Sequence, residues 1–139
     1  MASIQKFEEI EAWQKGRELT RRIYQLTSKG GFAHDFTLKD QIKRAAISIT
    51  SNIAEGFERG GNREFIQFLS TAKGSASELK SQLYVALDAG YVDQKEFDSL
   101  YRQAHSVVLL VSGFIEYLQQ SKLRGRKFKT VPNHNNPEP

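Results

Sequence analysis

Apolar residues recur at alternating spacings of four and three in four segments of this chain, which is the pattern of a helix that buries one face. The clearest segment contains Phe65, Leu69, Ala72, Ala76, Leu79, Leu83 and Ala86, and the next contains Phe97, Tyr101, Ala104, Val108, Val111, Ile115 and Leu118. The earlier segments contain Ile42, Ala46, Ile49 and Ile53, and Ala12, Gly16, Leu19, Ile23 and Leu26. Four such helices on one chain of 139 residues predict a helical bundle.

Glycines and capping residues predict where these helices begin and end. We predict helices over about residues 8–27, 38–55, 63–88 and 94–123. Thr37 and Asn62 are the predicted N-caps of the second and third helices, and Gly56, Gly60 and Gly61 are predicted to break the second after Glu55. Asp93 and Glu96 predict a start like a capping box for the fourth. Because short connections between long helices favour antiparallel neighbours, we expect an all-α, up-down-up-down four-helix bundle over residues 1–123.

The composition narrows the classes of protein to which the chain can belong. It contains no cysteine, which excludes disulfides, thiolate metal sites and cysteine nucleophiles and favours a cytoplasmic location. Its longest uninterrupted apolar run, residues 107–111, is far shorter than a membrane span. The first residues have no apolar core of the kind that signal peptides carry, so we expect no leader and no membrane partner.

Positive charge is concentrated at the C-terminal end. The cations after Ser121 are Lys122, Arg124, Arg126, Lys127 and Lys129, against one acid, Glu138. Cations with one aromatic residue are typical of a segment that binds phosphate backbones, although a solvated terminal extension has the same composition. Because residues 124–139 are polar and rich in proline and asparagine, we expect a disordered basic tail.

The predicted bundle also carries an uneven charge. Residues 1–44 contain nine basic and six acidic side chains, whereas residues 88–120 contain two basic and five acidic ones. Two pairs of adjacent cations, Arg21 with Arg22 and Lys43 with Arg44, lie in the basic part. These pairs and the tail are the predicted nucleic-acid-binding residues.

A polar strip on the second helix has two interpretations. Ser48, Asn52 and Glu55 follow one another at spacings of four and three, beside the isoleucine stripe. The strip either holds a ligand or a neighbouring subunit, or forms hydrogen bonds that fix the register of the helix. We favour the second, because buried polar groups are nearly always paired.

Some apolar residues cannot belong to the core of a single bundle. Ile47 lies nearly opposite the isoleucine stripe, and the run 107–111 surrounds the fourth helix. We predict a subunit interface that includes Ile47, Leu109 and Leu110, with scattered exposed side chains as the alternative.

Catalytic and metal-binding patterns are missing from the sequence. The three histidines, His34, His105 and His134, form no HExxH motif and no pair of ExxH motifs. No nucleophile elbow accompanies a serine, and Gly74 lies in mid-helix without a phosphate-loop pattern. We therefore expect no enzymatic activity, no cofactor and no metal.

Two stretches of the chain carry a family resemblance. QIKRAAISITSNIAEG (residues 41–56) and EFIQFLSTAKGSASELKSQL (residues 64–83) resemble the four-helix-bundle family of 23S rRNA intervening-sequence proteins, and the match extends over residues 7–92. The resemblance implies a bacterial, non-enzymatic bundle that forms a ring-like homopentamer. The chain departs from it at Gly16, where the family usually has alanine, and in the first loop, which lacks the family's usual proline.

A more distant resemblance suggests a second function. The chain is similar to the accessory variability protein of diversity-generating retroelements, a basic pentameric bundle that partners a reverse transcriptase and nucleic acid. We therefore expect a homo-oligomeric scaffold that binds nucleic acid, favouring RNA over DNA. The alternative is an accessory subunit that docks another protein, such as a reverse transcriptase.

Overall fold

Four α-helices account for most of residues 4–121, which are the residues that the computed structural model describes. They are α1 (Glu11–Thr27), α2 (Phe36–Arg59), α3 (Asn62–Asp88) and α4 (Gln94–Ser121). Two short 3-10 helices, Phe7–Glu9 and Gly30–His34, precede α1 and α2. No strand occurs in this part of the chain, so the all-α prediction is confirmed.

The helices are arranged as an antiparallel bundle in which each packs on its neighbours in sequence and α4 returns to α1. The middles of α2 and α3 meet at Ser48 and Ser75, with 2.7 Å between their hydroxyl oxygens. The start of α3 meets the end of α4, where the Asn62 amide donates to the Leu118 carbonyl at 3.2 Å. The predicted up-down-up-down four-helix bundle is confirmed.

Three of the four predicted apolar stripes form the core as expected. All seven stripe residues of α3 and all four of α2 are buried. In α1 four of the five are buried, and the fifth, Leu26, is half-buried. In α4 the predicted stripe is partly wrong, because Tyr101, Val108 and Ile115 are only half-buried. Leu100, Val107 and Phe114 are buried instead. Consecutive apolar residues in α4 permit both registers, and packing against α3 and α1 selects one.

Several predicted helix ends are wrong by a few residues. The N-cap of α2 is Asp35 and not Thr37, since its Oδ1 accepts the Leu38 N–H at 3.0 Å. The helix continues through Gly56 to Arg59, and Gly60 ends it in the left-handed conformation at φ 84°. Helix α3 is preceded by Gly61, so Asn62 is its first residue and not its cap. The predicted Asp93 cap is confirmed by its 2.8 Å bond from the Glu96 N–H.

The remaining differences lie at the start and in the first loop. Helix α1 begins at Glu11 and not near residue 8, because Ile10 has an extended backbone at φ −77° and ψ 123°. The first predicted loop contains the second 3-10 helix, which includes His34. Predicted residues 122 and 123 of α4 and the predicted basic tail lie outside the described residues.

One hydrogen bond joins the two loops at the same end of the bundle. The Tyr91 hydroxyl donates to Asp35 Oδ2 at 2.8 Å, and the Tyr91 ring stacks on Phe32 with 4.9 Å between centroids. The Leu38 N–H and the Tyr91 hydroxyl hold the pKa of Asp35 below its ordinary value, and the bond to Asp35 raises the pKa of Tyr91. These bonds tie the start of α2 to the connection between α3 and α4.

Candidate functional site

The polar strip of α2 fixes the pairing of α2 with α3. Beyond the short hydroxyl contact between Ser48 and Ser75, the Asn52 amide donates to the Ser48 carbonyl at 2.7 Å and to Ser48 Oγ at 3.0 Å. Glu55 does not join this network, because its carboxylate accepts from Arg59 Nη2 at 2.8 Å. Ser48 and Asn52 are therefore hydrogen-bonded within the bundle, and Ser48 bonds across to α3.

Two of the predicted phosphate-binding cations are already engaged within the bundle. Arg22 Nη1 donates to Ser99 Oγ at 3.0 Å and to Gln103 Oε1 at 2.8 Å, so this side chain bridges α1 and α4. Arg44 forms an exposed ion pair with Asp40, at 2.8 Å between Nε and Oδ2. Exposed ion pairs of this kind are weak, so Arg44 can bind a phosphate with little loss of stability. Arg22 would have to give up its bonds to α4 to do so.

The other two predicted cations lie on one face formed by α1 and α2. Arg21 is exposed and has no polar or aromatic partner among residues 4–121. The Lys43 ammonium lies 4.4 Å from the ring centroid of Tyr24. One turn before Arg21, the Arg17 guanidinium lies 5.9 Å from the ring of Trp13. We call Trp13, Arg17, Arg21, Tyr24 and Lys43 the basic–aromatic face.

Sequence reasoning missed Trp13, Arg17 and Tyr24 as members of this face. The signal is present in the sequence, since residues 13, 17, 21 and 24 follow at spacings of four, four and three and therefore share one side of α1. Arg21 and Arg22 are adjacent in sequence but do not belong to the same face. Adjacent residues point about 100° apart on a helix, and here one faces solvent while the other faces α4.

Two shallow depressions flank the basic–aromatic face. The one on the α2 side has a volume of about 320 Å³ and is lined by Trp13, Arg17, Thr20, Arg21, Tyr24 and Thr50. The one on the α4 side has a volume of about 670 Å³ and shares Trp13, Arg17 and Arg21 with the first. Arginine and aromatic side chains thus border two places where a ligand can lie.

The predicted interface residues differ in exposure. Ile47 on α2 is 43% exposed and Leu109 on α4 is 59% exposed, so both offer apolar surface to another molecule. Leu110 is half-buried and packs against the core, so it offers less apolar surface than the other two, and its place in an interface stays a prediction. Its position one residue after Leu109 turns it toward the neighbouring helices.

The described residues add nothing to three other features: the basic tail, a metal site and a membrane span. Lys122, Arg124, Arg126, Lys127 and Lys129 of the predicted tail lie outside the described residues. Within residues 4–121, no three histidine, aspartate or glutamate side chains come together as metal ligands would. In the same range, no helix has both the length and the hydropathy that a membrane span requires.

A known protein family matches most of the helical bundle. The sequence model of the 23S rRNA-intervening sequence proteins matches residues 8–113, which include α1, α2, α3 and most of α4. The chain belongs to this family. The match takes in the whole basic–aromatic face and the network of Ser48, Asn52 and Ser75.

A solved structure supports the family fold. The chain is similar to a protein with unknown function from the S23 ribosomal protein family of Bacteroides thetaiotaomicron, with a TM-score of 0.70 and 23% sequence identity. The similarity covers 76% of this chain and 95% of that one. At this identity the likeness shows the shared bundle alone. Among curated protein sequences, none matches the chain.

Proposed function

We propose that this intervening-sequence protein is a non-catalytic, homo-oligomeric scaffold that binds nucleic acid. The observation that carries the proposal is the basic–aromatic face, where Arg17 and Arg21 are exposed and Tyr24 and Trp13 lie beside them. Exposed cations bind phosphates, and aromatic rings stack on bases. The family description names ribosomal RNA, which supports RNA as the nucleic acid.

Binding of this kind depends on charge more than on base sequence. The phosphates displace counterions when they meet arginine or lysine, so the affinity falls steeply as salt increases. The tail cations Lys122, Arg124, Arg126, Lys127 and Lys129 add to the same effect. In an oligomer, several faces and tails act on one nucleic acid, which raises the total affinity above that of one subunit.

Charge reversal on the basic–aromatic face is expected to weaken binding of a short RNA. For Arg17→Glu with Arg21→Glu, we expect at least a tenfold loss at low salt, and a log–log salt slope reduced by about 1.4 for a single strand. Both side chains are exposed, so the bundle should melt at nearly the wild-type temperature. Fluorescence anisotropy across a salt series measures both quantities, and deletion of residues 122–139 measures the contribution of the tail separately.

Lys95→Glu with Arg102→Glu is the matched control. These two cations are exposed on α4 and their replacement changes the net charge equally. If the control loses as much affinity as the face variant, the binding is non-local and the face is not the site. If the wild-type protein binds no RNA or DNA at low salt, the proposed function is wrong.

The exposed apolar residues favour head-to-tail assembly. Helix α2 contacts α1 and α3, and α4 contacts α3 and α1, so α2 and α4 are diagonal to each other. Ile47 and Leu109 therefore lie on opposite sides of the bundle and do not share one patch. The basic excess in residues 1–44 and the acidic excess in residues 88–120 also give one subunit surfaces of opposite charge, which favours contact between unlike faces of two copies. Such a contact closes into a ring when its rotation permits, as in the homopentamer that the resemblance implies.

A mixing experiment tests this arrangement. Ile47→Asp and Leu109→Asp should each reduce the native mass from that of an oligomer to that of the 15.8 kDa chain. An equimolar mixture of the two variants should form dimers, because the intact Ile47 side of one fits the intact Leu109 side of the other. Native mass spectrometry or sedimentation measures this. A monomeric wild-type protein at micromolar concentration, or a mixture that stays monomeric, contradicts the proposal.

A second candidate function is docking of another protein, such as a reverse transcriptase. The observation that favours it is the exposed apolar surface of α3, where Tyr84 and Val85 are each 50% exposed. Tyr84 also contacts the rings of Phe97 and Tyr101, with centroid distances of 4.8 and 5.8 Å. A rigid aromatic surface of this kind is typical of protein interfaces. This candidate is preferred if the nucleic-acid titration is negative.

A further inference from the structure

Tyr24 of the basic–aromatic face is positioned so that a planar ligand can stack on its ring. Lys43 Nζ lies 4.4 Å from the centroid of the Tyr24 ring, which holds the ring in place from one side. The residue is nevertheless 43% exposed and lines the smaller depression between α1 and α2. A ring that is fixed yet exposed loses little conformational entropy when a planar ligand stacks on it.

Trp13, the other aromatic residue of this depression, has a different role. Its ring meets Phe7 edge-on, with 5.2 Å between centroids, and also carries the Arg17 guanidinium. Trp13 is half-buried, and these contacts occupy its surroundings. It therefore positions Arg17, whereas Tyr24 is the ring open to a ligand.

The two threonine hydroxyls of the depression donate to the backbone. Thr20 Oγ1 donates to the Gly16 carbonyl at 2.8 Å, and Thr50 Oγ1 donates to the Ile47 carbonyl at 3.2 Å. The threonines therefore offer no free donor to a base edge, and stacking on Tyr24 with the charge of Arg21 carries the proposed contact. Recognition by stacking tolerates any base, because every base has a π-face.

The smaller depression has room for about one base. Its volume of about 320 Å³ lies at the lower end of the range for small-molecule sites. Bases within a duplex are stacked on one another, and a protein ring reaches them only when they are unpaired or flipped out. The geometry favours a strand whose bases are free.

We infer that the depression between α1 and α2 binds one unpaired base stacked on Tyr24, with an adjacent phosphate on Arg21, so that this protein selects single-stranded over double-stranded nucleic acid. The inference rests on the proposed function and names its substrate class. RNA and DNA both contain bases and phosphates, so the test uses single strands of each.

The test compares one sequence as a single strand and as a duplex, with the full-length protein at fixed salt. We expect wild-type protein to bind the single strand at least about tenfold more tightly. A strand with abasic positions at its centre should lose about tenfold in affinity, which needs no protein variant. Tyr24→Ala should cost a similar factor on the single strand and less than about twofold on the duplex, because phosphate contacts remain.

Three variants separate stacking from folding and charge. Tyr24→Phe keeps the ring and should bind as the wild type does, and Phe36→Ala removes an exposed ring outside the basic–aromatic face and should leave the strand preference unchanged. Arg21→Gln should lower the salt slope for the single strand by about 0.7 while the preference persists. Equal binding of strand and duplex, or equal loss on both for Tyr24→Ala, overturns the inference and leaves the proposed function standing. Absence of any binding by the wild type rejects the proposed function instead.

Discussion

Gly56→Ala is expected to lower the free energy of unfolding by about 1–3 kcal/mol, although alanine is the better helix former. An alanine Cβ at this buried position would lie 2.7 Å from Phe68 Cβ and 2.9 Å from Phe65 Cδ1. Since Phe68 Cβ is attached directly to the backbone, α2 and α3 would have to separate. Urea denaturation followed by circular dichroism measures the change.

The control for this prediction is a glycine with free space. At Gly74, in the middle of α3, an added Cβ has no neighbour within 4 Å. Gly74→Ala should therefore stabilise the protein by up to about 1 kcal/mol through helix propensity alone. If Gly56→Ala also stabilises the protein, the close approach of α2 and α3 described here is wrong.

Phe65→Ala is expected to cost about 3–5 kcal/mol, the usual range for removing a buried phenylalanine. Phe65 is 4% exposed and joins three helices, because its ring contacts Phe57 of α2 at 6.0 Å and Phe114 of α4 at 5.0 Å between centroids. The loss is a large part of the stability of an ordinary domain, so thermal unfolding should shift by many degrees.

An exposed phenylalanine serves as the comparison for Phe65. Phe36 begins α2 and is 72% exposed, so Phe36→Ala should change the free energy of unfolding by less than about 0.5 kcal/mol. Similar losses for both variants would mean that the aromatic contacts between α2, α3 and α4 do not form the core at this end of the bundle.

Gly56 and Phe65, the sites of the two largest expected effects, lie within the two stretches that carry the family resemblance. In residues 51–56, Asn52 bonds to Ser48, Ile53 is fully buried and Gly56 admits the aromatic side chains of α3. These residues have packing roles, so this part of the first stretch determines how α2 meets α3. Gly16 is explained in the same way, since a Cβ there would lie 3.0 Å from Thr50 Cγ2.

The sequence could predict which part of the bundle is basic. It could not predict which residues make up the basic–aromatic face. Charge counting pointed to Arg21 and Lys43, each as a member of a pair of adjacent cations. It could not show that Arg22 bridges to Ser99 and Gln103, which are far away in sequence. The pairing of Lys43 with Tyr24 likewise joins two helices and has no local signal.

The sequence by itself determined the number of helices, their antiparallel order and most of their buried faces, because periodicity is a local property that each helix displays alone. Only the tertiary structure decided which way α4 rotates, where α2 ends and which cations face solvent. Those features depend on how neighbouring helices approach one another. A close contact such as that at Gly56, or an open ring such as Tyr24, exists only after two helices have packed together.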